Sequence, residues 1–109
     1  MKILRYQKED GSVPLSDWFS ALRDMQAKIA IRRRLDRLAE GNPGNTRALH
    51  SGVHELKIDM GPGYRVYYAH HGQAIILLLC GGDKGSQQID IAKAIDYWGD
   101  WKTRNRSDT

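Results

Sequence analysis

The sequence predicts an α+β domain with a mostly antiparallel sheet: an N-terminal strand, two helices, a run of neighbouring strands and a C-terminal helix. Three observations carry that prediction. Apolar residues recur at helical spacing between Leu15 and Leu38 and again from Ile91 to Trp98. Between them, Val53–Ile58 and Tyr64–His70 alternate as strands do, around the turn sequence DMGPG. The run Ala74–Cys80 (AIILLLC) is apolar at every position, the pattern of a central strand covered on both faces.

Each element has its own local justification. Lys2–Gln7 reads as a first strand on the β-preference of Ile3, Leu4 and Tyr6. Asp10-Gly11 is a turn signal, and Ser12 is positioned to cap a helix starting near Val13-Pro14, where proline is tolerated in the first turn. Leu15, Trp18, Phe19 and Leu22 make one apolar stripe. Asp24 is placed to cap a second helix running to about Glu40, with Ala27, Ile31, Leu35 and Leu38 inward and Gly41 as its stop. A loop, GNPGNT, leads to a short strand around Arg47–His50. Ser86 is the expected cap of the last helix, on which Ile91, Ala94, Ile95 and Trp98 share a face. Residues 1–101 thus form a single domain, and 102–109 (KTRNRSDT) are expected to be a polar, frayed tail.

Composition narrows the classes of function. The chain has 109 residues, 40% hydrophobic and 28% charged, a balance that supports one folded core rather than disorder. Lys and Arg number 17 against 13 Asp and Glu, a net charge of +4 that favours a polyanionic partner. A lone cysteine, Cys80, allows neither an internal disulfide nor a cysteine-rich metal site, and is best read as a small buried hydrophobe. The four histidines keep no metal-ligand spacing with a carboxylate or thiol, so no metal is expected, and GGDKG matches neither GxxxxGK(S/T) nor GxGxxG, so no nucleotide cofactor is expected either. The start MKILRYQKEDG turns polar too soon for a signal peptide, and no apolar run approaches the ~20 residues that cross a bilayer, so a cytoplasmic protein without membrane contact is expected.

The chemistry concentrates in VHELKIDMGPGYRVYY. Period-2 alternation puts Leu56 and Ile58 on one face of their strand, Glu55 and Lys57 on the other. On the next strand Val66 and Tyr68 share the core face, while Arg65 and Tyr67 point away. With the turn centred on Gly61, Lys57 lies opposite Arg65 and Glu55 opposite Tyr67. Two cations directly opposite each other are unfavourable unless something anionic sits between them. Two readings follow: a solvated polar face with Glu55 as ion partner, or a phosphate-binding face on which Arg65 meets solvent. Lys84, in GGDKG beside a helix start, would add to an anion site there, although by itself that segment is best read as a glycine turn with a charged tip. His54 falls on the core-facing parity, a packed histidine that an open strand end would make available for acid–base work. Arg32-Arg33-Arg34 with Arg37 gives the second helix a basic outer face, either simply solvated or touching RNA phosphates.

The series Trp18-Phe19, RLxRLxxGNxG, GVHELKIDMGPGYRVYY and LLLCGGDKGSQQxDIxxA resembles the HigB-like branch of the RelE/ParE toxin superfamily, from Lys2 to about Trp98 and in the same order. The resemblance implies a RelE-like fold of the layout above. It also implies a metal-independent endoribonuclease that cuts mRNA in the ribosomal A site, where the ribose 2′-OH attacks the adjacent phosphate and leaves a 2′,3′-cyclic phosphate. That reaction needs a base, cationic stabilisation of the phosphorane and an acid for the leaving 5′-oxygen. By the resemblance, Lys57 is the strand lysine of the site, Arg65 grips the scissile phosphate, and Lys84 is the basic residue after the last strand. Tyr67, Arg33, Arg37 and His54 are candidate RNA contacts. Asp90 stands where the best-known members carry a tyrosine, as a general base, a residue orienting one, or a helix cap. Glu55 stands where they carry a second lysine.

The implied partners are the ribosome with its mRNA and a cognate antitoxin, a small helix-turn-helix protein through which alone the complex would touch DNA. Two other readings stay open: a ParE-like gyrase poison, and a non-enzymatic RNA-binding or interaction module on the same fold.

Overall fold

The computed structural model describes residues 1–106. Its elements are β1 (Lys2–Arg5), α1 (Pro14–Ala21), α2 (Met25–Ala39), β2 (Thr46–Ala48), β3 (Val53–Ile58), β4 (Tyr64–His71), β5 (Ile75–Gly82), a 3₁₀ turn (Lys84–Ser86) and α3 (Gln87–Arg104). The five strands make one sheet in the order β1-β5-β4-β3-β2. Only the β1–β5 pair is parallel, so the fold is α+β with a mostly antiparallel sheet.

The sheet has two covered faces. Leu56, Ile58, Val66, Tyr68, Ile76 and Leu78 pack against Leu15 of α1 and Ala27, Ile31 and Leu38 of α2. On the other face Val53, Tyr67, Ala69, Leu77 and Leu79 meet Ala94 and Trp98 of α3. β5 lies between β1 and β4 and is buried from both sides, as its continuous apolar run requires. A register shift between Tyr67 and Tyr68 brings consecutive Leu79 and Cys80 onto the α3 face. Cys80 is buried, with Sγ 3.6 Å from the Asp90 carbonyl.

Several boundaries differ from expectation for local reasons. Val13, not Ser12, precedes α1; the Ser12 hydroxyl is bonded to Asp10 Oδ1 at 2.7 Å. Asp24 caps α2 as expected, accepting from the Ala27 amide. The short edge strand begins at Thr46 and ends at Ala48. Ser86 sits at the N-cap of α3 without a capping bond, because its hydroxyl donates to Asp90 Oδ2 at 2.5 Å. Asp83 caps the preceding 3₁₀ turn through the Gly85 amide. The last helix runs through Arg104 rather than ending near Trp101. Arg104 pairs with Asp100 one turn back (2.7 Å) and reaches the Gln7 carbonyl (2.6 Å), fastening the helix end to the β1–α1 connection. The end of the expected tail, 107–109, lies outside the described residues.

Candidate functional site

The β3–β4 hairpin sets the geometry of the site. Its register pairs Ile58 with Tyr64 across a five-residue turn, which places Lys57 opposite Arg65 and Glu55 opposite Tyr67. β2 adds Arg47 opposite Glu55. Together with Asn45, Thr46 and Gln87, the first residue of α3, these side chains line a concavity of about 330 Å³ at the open end of the α3 face. Gly63, at φ 81°, takes a backbone conformation that disfavours side chains. A Cβ there would press on Arg65 Nη1 (3.1 Å) and meet Lys84 Cβ (3.7 Å), so the hairpin turn, Arg65 and the base of the exposed Lys84 lie side by side. Lys84 itself lines a separate concavity that shares Gln87 with the first.

Glu55 organises the floor. It is 3% exposed and accepts Arg47 Nε at 3.0 Å and Gln87 Nε2 at 2.9 Å, with Arg65 Nε at 3.6 Å. Burial pushes its carboxyl up, but the hydrogen bonds from Gln87 and Arg47 and the charges of Arg47 and Arg65 outweigh it, and the net displacement is downward. Glu55 is therefore a fixed anion that orients two arginines, not a proton acceptor poised near neutrality. Behind it, Arg34 of α2 donates to the carbonyls of Lys57 (2.6 Å), Pro43 (2.9 Å) and Asn45 (3.1 Å), tying the wall of the concavity to the helical layer.

Two expectations are corrected here. Arg65 does not face solvent: it is 5% exposed, and Nη1 donates to the Gly63 carbonyl at 2.6 Å. Tyr67 is fully buried beneath α3 and offers no surface to RNA. Among the described residues its hydroxyl has no hydrogen-bond partner, and burial with the nearby Glu55 and Asp90 charges pushes the phenol above its ordinary range. Both corrections have one cause: α3 covers the sheet face that the alternation marks as outward.

Other expected residues lie elsewhere. Asp90 is 8% exposed and bonded to Ser86, in a different concavity lined by Trp18, Gly82, Lys93 and Tyr97. The turn before α3 is not a free anion-binding terminus, since Asp83 already occupies the Gly85 amide. His54 stacks on Tyr68 on the opposite face of the sheet (5.2 Å between ring centroids), beside His70. Burial and the His70 charge hold its imidazole below the ordinary value. Arg33 and Arg37 are exposed on α2, away from the concavity, while Arg34 turns inward and leaves the basic face predicted for that helix. Arg47 and Gln87 are the site residues that sequence reasoning missed. An Arg–Glu pair across β2 and β3 was available as a signal once the edge strand is started at Thr46. Nothing local marks Gln87, which only the return of α3 brings to Glu55.

Among the described residues, no helix is long and apolar enough to cross a membrane, and His, Cys, Asp and Glu side chains nowhere gather in threes. Residues 17–96 match the family described as Phage derived protein Gp49-like (DUF891). An uncharacterized protein of Haemophilus influenzae (strain ATCC 51907 / DSM 11121 / KW20 / Rd) is 41% identical over 83 residues, covering 76% of this chain and 84% of that protein.

Proposed function

This chain belongs to the Gp49-like family of phage-derived proteins, and on that premise we propose that it is the toxin of a two-component toxin–antitoxin module, a HigB-like endoribonuclease that cuts ribosome-bound mRNA in the cytoplasm. Phage derivation fits a small module carried on mobile DNA. The observation that carries the reading is the cation pair Lys57–Arg65 across the hairpin, lining a solvent-open concavity, with Lys84 in the concavity next to it. Like charges in direct register oppose sheet stability, and an anion between them removes the penalty.

A phosphodiester seated there meets three cations that can hold the extra negative charge of the phosphorane. The ribose 2′-oxygen bonds to phosphorus, the bond to the 5′-oxygen breaks, the 2′ proton passes to a base and a proton reaches the leaving oxygen. Lys57, half-buried in the concavity wall, and the exposed Lys84 are assigned to the phosphate oxygens. Arg65, fixed by Gly63 and Glu55, supplies a preoriented charge beneath them. Asp90 is assigned to positioning, since its carboxylate fastens the start of α3 rather than entering the concavity. Catalysis then rests mainly on positioning and charge, with acid and base drawn from solvent or from the ribosome. A helix-turn-helix antitoxin would complete the module and carry its DNA binding.

The burial of Arg65 favours a second reading, in which the cluster binds phosphate without cleaving it, as a gyrase poison or an RNA-binding module would. One experiment separates these. Wild type and Lys57→Ala/Lys84→Ala are induced in cells and mRNA ends are mapped by primer extension. Cuts within translated codons in wild type, lost in the variant, are expected. Growth arrest with intact mRNA would move the target to gyrase or another protein, and absence of arrest would sink the toxin reading.

A further inference from the structure

A second surface, on the opposite side of the sheet, has features that the cation concavity does not use. Between α1 and α2 lies a groove of about 530 Å³ with Phe19 in its wall and Met25 and Ile29 at its edge. Met25 is 67% exposed and Ile29 47%, one turn apart on the outer side of α2, while Ala27 and Ile31 of the same helix are fully buried. α2 is therefore apolar on two sides at its N-terminal half, and only one of them has a partner in the fold. The rim is cationic: Lys28 Nζ and the Arg32 guanidinium stand 5.4 and 5.5 Å from the Phe19 ring centroid, and Arg33 extends the line. Asp36 at the far end is the one acid lining the groove.

We infer that this groove docks an acidic amphipathic helix of a partner protein, whose apolar side chains, one turn apart, seat on Phe19, Met25 and Ile29 while its carboxylates meet Lys28, Arg32 and Arg33. The occupant follows from complementarity. Aliphatic side chains spaced i, i+4 along an exposed helix match the ridge of another helix, and three cations around an apolar floor select an acidic flank. A second copy of this chain is disfavoured, because a two-fold contact would set the same three cations against themselves in a protein of net charge +4. Nucleic acid would use the cations but leave Met25 and Ile29 against a polyanion. Because α1 and α2 cover the face opposite the concavity, such a partner would leave Lys57 and Lys84 uncovered. The inference stands whether or not the chain cleaves RNA.

The test uses the full chain and a fluorescein-labelled synthetic helical peptide with Leu at i, i+4, i+7 and i+11 and Glu at the flanking positions, followed by fluorescence anisotropy. Saturable binding is expected that weakens at least tenfold in Ile29→Glu and in Arg32→Glu, and that weakens with added salt. Both variants are exposed substitutions, and thermal melts like wild type establish that they fold. The same peptide with Lys in place of Glu should bind at least tenfold less. No binding of the acidic peptide, or equal binding of the basic one, would overturn the inference. So would sedimentation showing a dimer that Ile29→Glu dissociates, or a single-stranded RNA whose binding falls with that variant.

Discussion

Arg65 shows how one side chain can be correctly placed in register and wrongly placed in environment. Alternation assigns it to the face away from Leu56 and Val66, and the structure keeps it there, opposite Lys57. Period-2 reasoning says nothing about what lies above that face, and a helix beginning more than twenty residues later buries it. The signal was present in Tyr67 and Ala69, two apolar residues on the supposedly solvated parity. The consequence is measurable. Lys57→Ala, at a half-buried amine without an ion pair among the described residues, should melt within about 0.5 kcal/mol of wild type in urea. Arg65→Ala should lose about 1–3 kcal/mol, since it removes a buried guanidinium bonded to Gly63 while Arg47 and Gln87 still compensate Glu55. A wild-type melt for Arg65→Ala would contradict the burial described above. Loss of activity in Lys57→Ala is accordingly the cleaner report on chemistry.

His54 supplies a second test at this scale. Its imidazole is held below its ordinary value of 6.5 by burial against Tyr68 and by His70. The unfolded chain therefore binds the proton more readily than the folded one. The associated stability is fully present above pH 6.5 and is lost as pH falls through the lower folded value. Glu55, also displaced downward from 4.5, adds a loss of the same sign in more acidic solution. Thermal melts between pH 8 and about 2.5 should show two declining segments, the second below pH 4.5, and His54→Gln should flatten the first and leave the second. An unchanged profile in that variant would assign the upper segment to another group.

At the scale of elements, helix α3 is where the sequence was least explicit. Its apolar face was legible from Ile91, Ala94, Ile95 and Trp98, and its existence from their spacing. Where it docks depends on contacts that no spacing encodes, above all on Gly82. A Cβ at Gly82 would overlap Asp90 Oδ2 and stand 3.0 Å from Ser86 Oγ, so the first turn of α3 can lie on the end of β5 only because that position has no side chain. The pattern GGD reads as a turn, whereas Gly82 is the last strand residue and has no need of a left-handed conformation. Close approach, not flexibility, explains it. Gly82→Ala should cost about 1–3 kcal/mol by pushing Asp90 and Ser86 away. In an Asp90→Ala background the same substitution should cost clearly less, a non-additivity of more than about 0.5 kcal/mol in a double-mutant cycle. Strictly additive losses would mean that the backbone of β5, rather than the clash with Asp90, limits the site.

Seen as a whole molecule, a five-stranded sheet separates two surfaces that share the net positive charge. One holds Lys57, Arg65 and Lys84 around the hairpin; the other holds Lys28, Arg32 and Arg33 around an apolar groove. Composition announced the charge but not its division, because which face of the sheet each helix covers is set by packing and not by residue counts. Arg34 ties the layers together by hydrogen bonds at this point: it leaves α2 one residue after Arg33 and holds the carbonyls of Lys57, Pro43 and Asn45. Two surface substitutions on opposite sides of a packed sheet should act independently, whereas loss of the staple should be felt beyond its own layer. Ile29→Glu and Lys57→Ala are therefore expected to combine additively in urea stability, within about 0.5 kcal/mol. Arg34→Ala should cost about 2–4 kcal/mol, the loss of charge-assisted bonds to three carbonyls. It should also raise amide exchange at both Asn45 and Lys57, because the Lys57 amide donates to the Asn45 carbonyl that Arg34 secures. Hydrogen exchange that rises on α2 alone would show that the edge of the sheet holds its own geometry, and that the concavity owes nothing to the helical layer behind it.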